Sequence, residues 1–183
     1  MAKFSTDVLS YYQGLEFDAV APSRVDVSHI NDYNLQGNFT IETKVKLLSG
    51  DNAYCLWKRG NNNNGWWFGI DSTGLVFTTF GRTIYNTPMT NKSEWNHISV
   101  VFDGQLVKLF INGIEEYSSS FSGLGTTTRG FRMAARSNNN GGIDGYSNHI
   151  QDETRLWNVA RTQQEIQLNM NKELTGNEEG LIA

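Results

Sequence analysis

The sequence predicts an all-β fold, a two-sheet antiparallel sandwich with one short C-terminal helix. Three observations lead to this prediction. Segments in which apolar and polar residues alternate recur along the chain, and polar turn residues separate them. The chain has 18 glycines and only 2 prolines, a composition that suits short strands joined by turns. Its 183 residues are enough for a single domain whose core needs no disulfide.

The first strands are predicted at 15–20, 24–27 and 38–47. In the third of these segments, polar or charged residues alternate with a mostly apolar row, which consists of Phe39, Ile41, Thr43, Val45 and Leu47. A strand with one polar face is typical of an antiparallel sheet, because parallel sheets are usually covered on both faces. We therefore expect one face of this strand to contact solvent.

Two dipeptides predict hairpins in the centre of the chain. Asp103-Gly104 and Asn112-Gly113 each separate two apolar runs, and such pairs are strong hairpin signals because their residues tolerate positive φ. The other strands predicted from alternation lie at 54–58, 65–70, 75–80, 95–102, 106–111, 114–117, 129–135 and 149–157.

One helix is predicted near the C-terminus. Thr162 is a suitable N-cap, and Glu165 three residues later completes a capping box. Gly176 is the expected end of this helix. A single short helix on an all-β chain usually packs against the sandwich, so we expect a structural role for it.

Three separated motifs resemble one known family. They are Phe17-Asp18 followed by 25–27 and 37–42, the hairpin 95–104 with 109–113, and the closing segment 150–162. In this order they resemble laminin-G-like, concanavalin A-like jelly-roll domains, and they cover about residues 15–183. The resemblance implies a jelly-roll sandwich with curved sheets and loops gathered at the ends. Because this fold carries lectins, adhesion domains and some glycosidases, it does not by itself fix the function.

The resemblance also indicates where calcium would bind. Asp18 and Asp152 fall near the positions where related sandwiches bring their first and last strands together. Calcium needs six to eight oxygen ligands, so these two carboxylates are the candidate metal ligands. The alternative is that each aspartate accepts hydrogen bonds from turn amides. Ala19 follows Asp18 where related domains typically have glycine, which weakens the metal prediction; no other cofactor is expected.

Catalysis is not expected. The resemblance implies that a retaining glycosidase of this fold would carry its carboxylates in one strand, typically as Glu-x-Asp-x-x-Glu. The chain has no such motif. The three histidines, His29, His97 and His149, lack metal-ligand spacing, and no nucleophile elbow or phosphate loop is present. The chain is therefore predicted to be a non-enzymatic protein.

Aromatic rings and amides provide the chemistry that sugar binding requires, because rings stack on C–H faces and amides bond hydroxyl groups. Trp66 and Trp67 are adjacent in a predicted strand, so one is expected in the core and the other outside. The alternative is that most of these rings are core residues and the asparagines are solvated turns. The candidate ligand-binding residues are Trp57, Asn62, Asn63, Trp66, Tyr85, Asn139 and Tyr146.

Charge and the N-terminal sequence limit the partners and the location. The formal net charge of −4 gives no basic footprint for nucleic acid, and no apolar run could enter a membrane. No signal peptide is visible at the N-terminus. A virion or particle surface is one expected location, and the extracellular space after processing is the other.

Two roles remain open. The first is a recognition or adhesion module that binds a glycan or a protein surface. The second is a structural decoration, cement or tail component of a virus-like particle or other large assembly. Related domains commonly continue into an aromatic strand beyond residue 183, so a neighbouring strand edge is expected to lack a partner. The N-terminal arm, residues 1–14, or another subunit could cover this edge, so a homo-oligomer or larger assembly is expected.

Overall fold

The computed structural model describes residues 3–6, 13–59, 65–79, 84–138 and 142–183. The strands are β1 Lys3–Thr6, β2 Gln13–Phe17, β3 Val25–Val27, β4 Phe39–Ser49, β5 Ala53–Arg59, β6 Gly65–Asp71, β7 Gly74–Thr79, β8 Ile84–Thr87, β9 Asn96–Phe102, β10 Leu106–Ile111, β11 Ile114–Ser120, β12 Phe131–Met133, β13 Ala135–Ser137, β14 Ile143–Tyr146 and β15 Asn148–Trp157. The helices are a 3₁₀ turn, Asn31–Asn34, and α1, Gln163–Asn169.

Two antiparallel sheets pack face to face. The seven-stranded sheet has the order β1-β2-β15-β4-β9-β10-β11, and the six-stranded sheet has the order β3-β12-β5-β6-β7-β8. A separate hairpin pairs β13 with β14. The main core lies between the large sheets, and its buried side chains include Phe39, Ile41, Phe68, Phe77 and Val100. The predicted two-sheet antiparallel sandwich with one short C-terminal helix is confirmed.

The two predicted turns differ in how they reverse the chain. Asn112 and Gly113 have φ values of 51° and 76°, so both residues adopt the left-handed conformation that a tight hairpin requires. At the other turn only Gly104 has positive φ. Asp103 instead accepts hydrogen bonds from the backbone N–H groups of Gln105 and Leu106 at 3.1 and 2.8 Å. The side chain of Asp103 therefore completes a longer turn.

Contrary to the prediction, most of the polar face of β4 is shielded from solvent: Thr40, Glu42 and Lys44 are buried, and Lys46 is half-buried. Glu42 on this face is fully buried, because the C-terminal residues after β15 cover it. Its carboxylate accepts a hydrogen bond from Trp157 Nε1 at 3.0 Å and lies 3.4 Å from Arg155 Nη1 and 3.3 Å from His97 Nε2. Burial opposes ionisation, but His97 and the two nearby arginines, Arg155 and Arg161, hold the pKa of Glu42 below its ordinary value.

The predicted capping box of α1 is confirmed, but the helix ends at Asn169, well before Gly176. Arg155 contacts the segment where the helix ends. Its guanidinium donates to the backbone carbonyls of Asn169 and Lys172, and the Asn169 carbonyl also accepts from the Lys172 N–H at 3.0 Å in a turn tighter than that of an α-helix. Ile166 packs on Val101 and Phe110, which fixes the helix against the seven-stranded sheet. No helix in the described parts of the chain is long and apolar enough to cross a membrane.

Both ends of the described chain lie at one edge of the seven-stranded sheet. β2 pairs with the first part of β15, and β1 adds a further strand beside β2. The last residues pair with the second part of β15, where Leu181 bridges Trp157 and the Ile182 N–H donates to the Leu156 carbonyl at 2.8 Å. The edge of β15 is thus covered by two segments of the same chain.

Candidate functional site

A row of side chains crosses the outer face of the six-stranded sheet in register. Asp26 in β3 is opposite Arg132 in β12, which is opposite Trp57 in β5. Trp57 in turn is opposite Trp67 in β6. Because side chains alternate along each strand, the residues on either side of this row, such as Phe131, point into the core.

Three aromatic rings form a cluster on this face. Trp57 and Trp67 are stacked, with ring centroids 5.5 Å apart and an interplanar angle of 27°. The ring of Tyr54 meets Trp57 edge-on at 5.6 Å and Trp67 at 6.0 Å. Arg136 from the β13–β14 hairpin lies 5.9 Å from the Tyr54 ring centroid, and burial raises the pKa of the Tyr54 hydroxyl. The cluster gives this part of the sheet a rigid aromatic surface.

Asp26 is shared between two arginines. Arg24 Nε donates to Asp26 Oδ2 at 2.7 Å, and Arg132 Nε donates to Asp26 Oδ1 at 2.7 Å. Partial burial opposes ionisation, but these two hydrogen bonds hold the pKa of Asp26 below its ordinary value. Asp26 raises the pKa of Arg24, and the hydroxyl of Tyr146 contributes to the same shift, which places Tyr146 beside this pair.

A cavity of about 290 Å³ opens beside the row, where β3, β12 and β5 meet. Its wall combines an aromatic ring with groups that accept and donate hydrogen bonds. These lining residues include Asp26, Ser28, Trp57, Arg129, Arg132 and Ser137. An apolar ring next to a few convergent polar groups is the usual composition of a small-ligand site.

A buried lysine lies behind the cavity wall. Lys58 is fully buried, and its Nζ donates to the Arg129 carbonyl at 2.6 Å and lies 3.3 Å from His29 Nδ1. Burial lowers the pKa of Lys58 to about 8. Within the part of the chain that the structure describes, no carboxylate pairs with this ammonium group.

The structure separates the residues that the sequence suggested for ligand binding. Trp57 lines the cavity although the residue is only 7% exposed, and Tyr146 lies near Arg24, the partner of Asp26. Trp66 is 1% exposed and Tyr85 is 4% exposed, and both belong to the core between the sheets. Trp67, the neighbour of Trp66, provides the outward ring, as the alternation of a strand requires. The remaining candidates lie outside the described residues and are Asn62, Asn63 and Asn139.

Asp26 and Arg132 belong to the site, but sequence reasoning did not select them. The segment Arg24-Val25-Asp26-Val27 carries a signal for part of this arrangement, because alternation places Arg24 and Asp26 on the same face. Nothing in the sequence indicates that Arg132, more than one hundred residues later, pairs with the same carboxylate.

The two candidate calcium ligands are not adjacent. Asp18 follows Phe17, which is paired with His149, whereas Asp152 lies three residues further along β15. Because the two strands are antiparallel, Asp18 lies one residue beyond this pair in the opposite direction, so the offset is about four residues or roughly 13 Å along the strand. Asp18 accepts a hydrogen bond from the Val20 N–H at 2.7 Å, and Asp152 accepts one from the Glu153 N–H at 2.9 Å. Both aspartates therefore bond backbone amides at a separation that does not favour a shared ion, and calcium binding stays a prediction.

Residues 22–167 match a protein-family model described as the concanavalin A-like lectin/glucanases superfamily. No curated protein sequence is significantly similar to the chain.

Several solved structures share the fold. A putative carbohydrate-binding protein from Bacteroides ovatus is 20% identical with a TM-score of 0.63, and the alignment covers 79% of this chain and 44% of that one. The binding domain of Paraclostridial Mosquitocidal Protein 1 is 16% identical with a TM-score of 0.72, covering 93% and 45%. Domain 4 of the extracellular arabinanase AbnA from Geobacillus stearothermophilus, solved with arabinotriose, is 15% identical with a TM-score of 0.66, covering 91% and 80%. The chain thus spans less than half the length of the first two.

Proposed function

The chain belongs to the concanavalin A-like lectin/glucanase superfamily, and on this basis we propose that it is a non-enzymatic recognition module that binds a glycan in the cavity beside Trp57. The observation that carries this proposal is the composition of the cavity wall. The indole ring of Trp57 offers a surface for the C–H face of a sugar, while Asp26, Ser28 and Ser137 supply groups that bond hydroxyls.

The similar structures support a binding role. One is named a putative carbohydrate-binding protein, another is a binding domain, and the third is domain 4 of an arabinanase solved in complex with arabinotriose. All three are less than 25% identical to the chain, so the similarity concerns the fold alone. The proposed ligand is therefore argued from the residues of this chain's own cavity.

The carboxylates of the site support binding over hydrolysis. Glycoside hydrolysis needs two carboxyl groups that flank the scissile bond. Asp26 is the one carboxylate among the described residues that line the cavity, and two arginines hold it ionised by direct hydrogen bonds. A carboxylate in this state is suited to accept hydrogen bonds from sugar hydroxyls and unsuited to donate a proton to a leaving group.

One observation supports a second candidate, a structural role in a virus-like particle or other assembly. β1 is the outermost strand of its sheet, and its outer backbone edge has no partner among the described strands. Such an edge can pair with another copy of the chain or with a particle surface. Light scattering tests this role: a concentration-independent monomer would argue against assembly through β1.

A glycan array followed by calorimetry tests the glycan-binding proposal. Trp67→Leu removes the ring that stacks on Trp57, and we expect it to weaken binding of the best glycan about tenfold or more, a loss of about 1.4 kcal/mol. Trp95→Leu is the matched control, because Trp95 lies near Gly14 by the seven-stranded sheet. Equal losses in both variants, or no binding to any glycan by the wild type, would refute the proposal.

A further inference from the structure

A buried lysine on the polar face of β4 contacts a side-chain amide from the C-terminal part of the chain. Lys44 is 3% exposed. Its Nζ donates to the side-chain Oδ1 of Asn171 at 3.0 Å, and Asn171 comes 127 positions later in the sequence. A lysine amine that has lost its proton is a nucleophile, and the carbon of a carboxamide is an electrophile. Two groups that can react with each other are therefore held in direct contact.

A carboxyl group lies beside the same contact. Asp152 in β15 is directly opposite Lys44 in the antiparallel ladder, so the two side chains lie on the same face of the sheet with their Cβ atoms about 5 Å apart. Burial raises the pKa of Asp152 above its ordinary value, although the Glu153 N–H and the charge of Lys44 act in the opposite direction. Asp152 is therefore suited to take a proton from the neighbouring lysine.

The segment that carries Asn171 is fixed on both sides. The buried guanidinium of Arg155 donates to the backbone carbonyl of Asn169 at 3.0 Å and to that of Lys172. The Lys172 N–H also donates to the Asn169 carbonyl at 3.0 Å. When two reacting groups are held in contact, the reaction no longer depends on a chance encounter, and its rate rises accordingly.

From this arrangement we propose that Lys44 and Asn171 form an intramolecular isopeptide bond, with Asp152 as the acid–base group. Asp152 takes a proton from the Lys44 ammonium, and the neutral amine attacks Asn171 Cγ to form a C–N bond. The bond from Cγ to Nδ2 then breaks, and the two protons lost by the lysine nitrogen pass through Asp152 to the leaving nitrogen. The products are the amide that joins the two side chains and one ammonium ion, so no oxidant or reductant is needed.

The bond would tie the C-terminal segment to β4. This segment covers the polar face of the strand, where Glu42 and Lys44 are buried. A link between residues 44 and 171 also closes a long loop in the unfolded chain, which lowers the conformational entropy of that state in the way that a disulfide does. The covered face would then stay closed when the hydrogen bonds around it break.

Mass spectrometry of the purified chain tests the proposal. Loss of ammonia makes the wild type about 17 Da lighter than its sequence, and trypsin should leave a branched peptide that joins 25–46 to 162–172. The branched peptide is required because an asparagine before glycine, such as Asn112, can also lose ammonia by forming a cyclic imide. A wild type that keeps its full mass after prolonged incubation at neutral pH, or a lighter chain without the branched peptide, would overturn the proposal.

Matched variants identify the reacting groups. Lys44→Arg keeps a positive charge and hydrogen-bond donors but has no amine that can lose its proton, so we expect it to keep its full mass. Lys46→Arg changes the lysine two residues further along β4 and should lose ammonia like the wild type. Asp152→Asn removes the acid–base group and should slow the reaction at least about a hundredfold.

Thermal melting checks that each variant is folded. A Lys44→Arg chain that is lighter by the same amount as the wild type, or a Lys46→Arg chain that keeps its full mass, would contradict the assignment of the nucleophile. An Asp152→Asn chain that reacts at the wild-type rate would contradict the role of the carboxyl group.

Discussion

Lowering the pH from 7 to 4.5 should destabilise the fold mainly through one histidine. His149 in β15 is fully buried between the sheets. Its Nδ1 lies 3.1 Å from Ser147 Oγ, its Nε2 lies 3.1 Å from Gln151 Oε1, and the Phe17 ring centroid is 5.2 Å away. All three neighbours are uncharged, so burial dominates and lowers the pKa of His149 from 6.5 to about 4.

The sign follows from which state takes up the proton. Above pH 6.5 His149 is neutral in both the folded and the unfolded chain. Between pH 6.5 and 4 the unfolded chain binds the proton while the folded chain resists it, so the free energy of unfolding falls as the pH falls. At about 1.4 kcal/mol per pKa unit, a difference of roughly 2.5 units gives a loss of about 3 kcal/mol over the whole window.

Urea denaturation at half-unit pH steps measures this loss. His149→Gln keeps a polar side chain of similar reach without a titrating ring, and it should flatten the slope of stability between pH 6.5 and 4.5. His29→Gln is the control, because His29 lies by Lys58 and is only partly buried. Stability that does not change over this range in the wild type, or an unchanged slope in His149→Gln, would refute the reasoning.

Three other changes should have measurable effects. Lys58→Met should raise the free energy of unfolding at pH 7 by about 1–2 kcal/mol in urea, because removal of a buried cation outweighs its lost hydrogen bonds; a lower stability would contradict this. Glu42→Gln should cost about 2 kcal/mol by the same assay, since the buried guanidinium of Arg155 loses one of its two carboxylate partners and keeps Glu153, and a loss below about 1 kcal/mol would mean that Glu153 is sufficient to compensate this charge. Millimolar calcium should raise the melting temperature no more than magnesium does, because Asp18 and Asp152 are too far apart to share an ion; a calcium-specific rise that disappears in Asp152→Asn would restore the predicted site.

The strands could be predicted because each buries one row of side chains in a common core. Alternation also predicts that Trp66 and Trp67 face opposite ways, but it does not indicate which ring is outside. That choice depends on which face of β6 packs against the seven-stranded sheet, where Trp66 joins a core with Ile41 and Val100. These residues are distant from Trp66 in the sequence, so no local pattern indicates the choice.

The covered face of β4 could not be predicted for a related reason. Glu42 and Lys44 read as a solvent-facing row in the sequence, because charged residues are rarely buried without partners. The partners come from the other end of the chain: Arg155 and Trp157 contact Glu42, and Asn171 accepts a hydrogen bond from Lys44 Nζ at 3.0 Å. The same arginine donates to the Asn169 carbonyl at the end of α1, so it is involved at both places where the structure differs from the prediction.

β15 pairs with β2 along its first part and with the last residues along its second part, which has a practical consequence for display. Both ends of the described part of the chain lie in the seven-stranded sheet, whereas the cavity opens on the outer face of the opposite one. A tether or fusion partner attached at either end can therefore hold many copies on a bead or sensor with their cavities turned toward solution. In that arrangement weak individual contacts add up through multivalency, since each further contact forms at a high effective concentration.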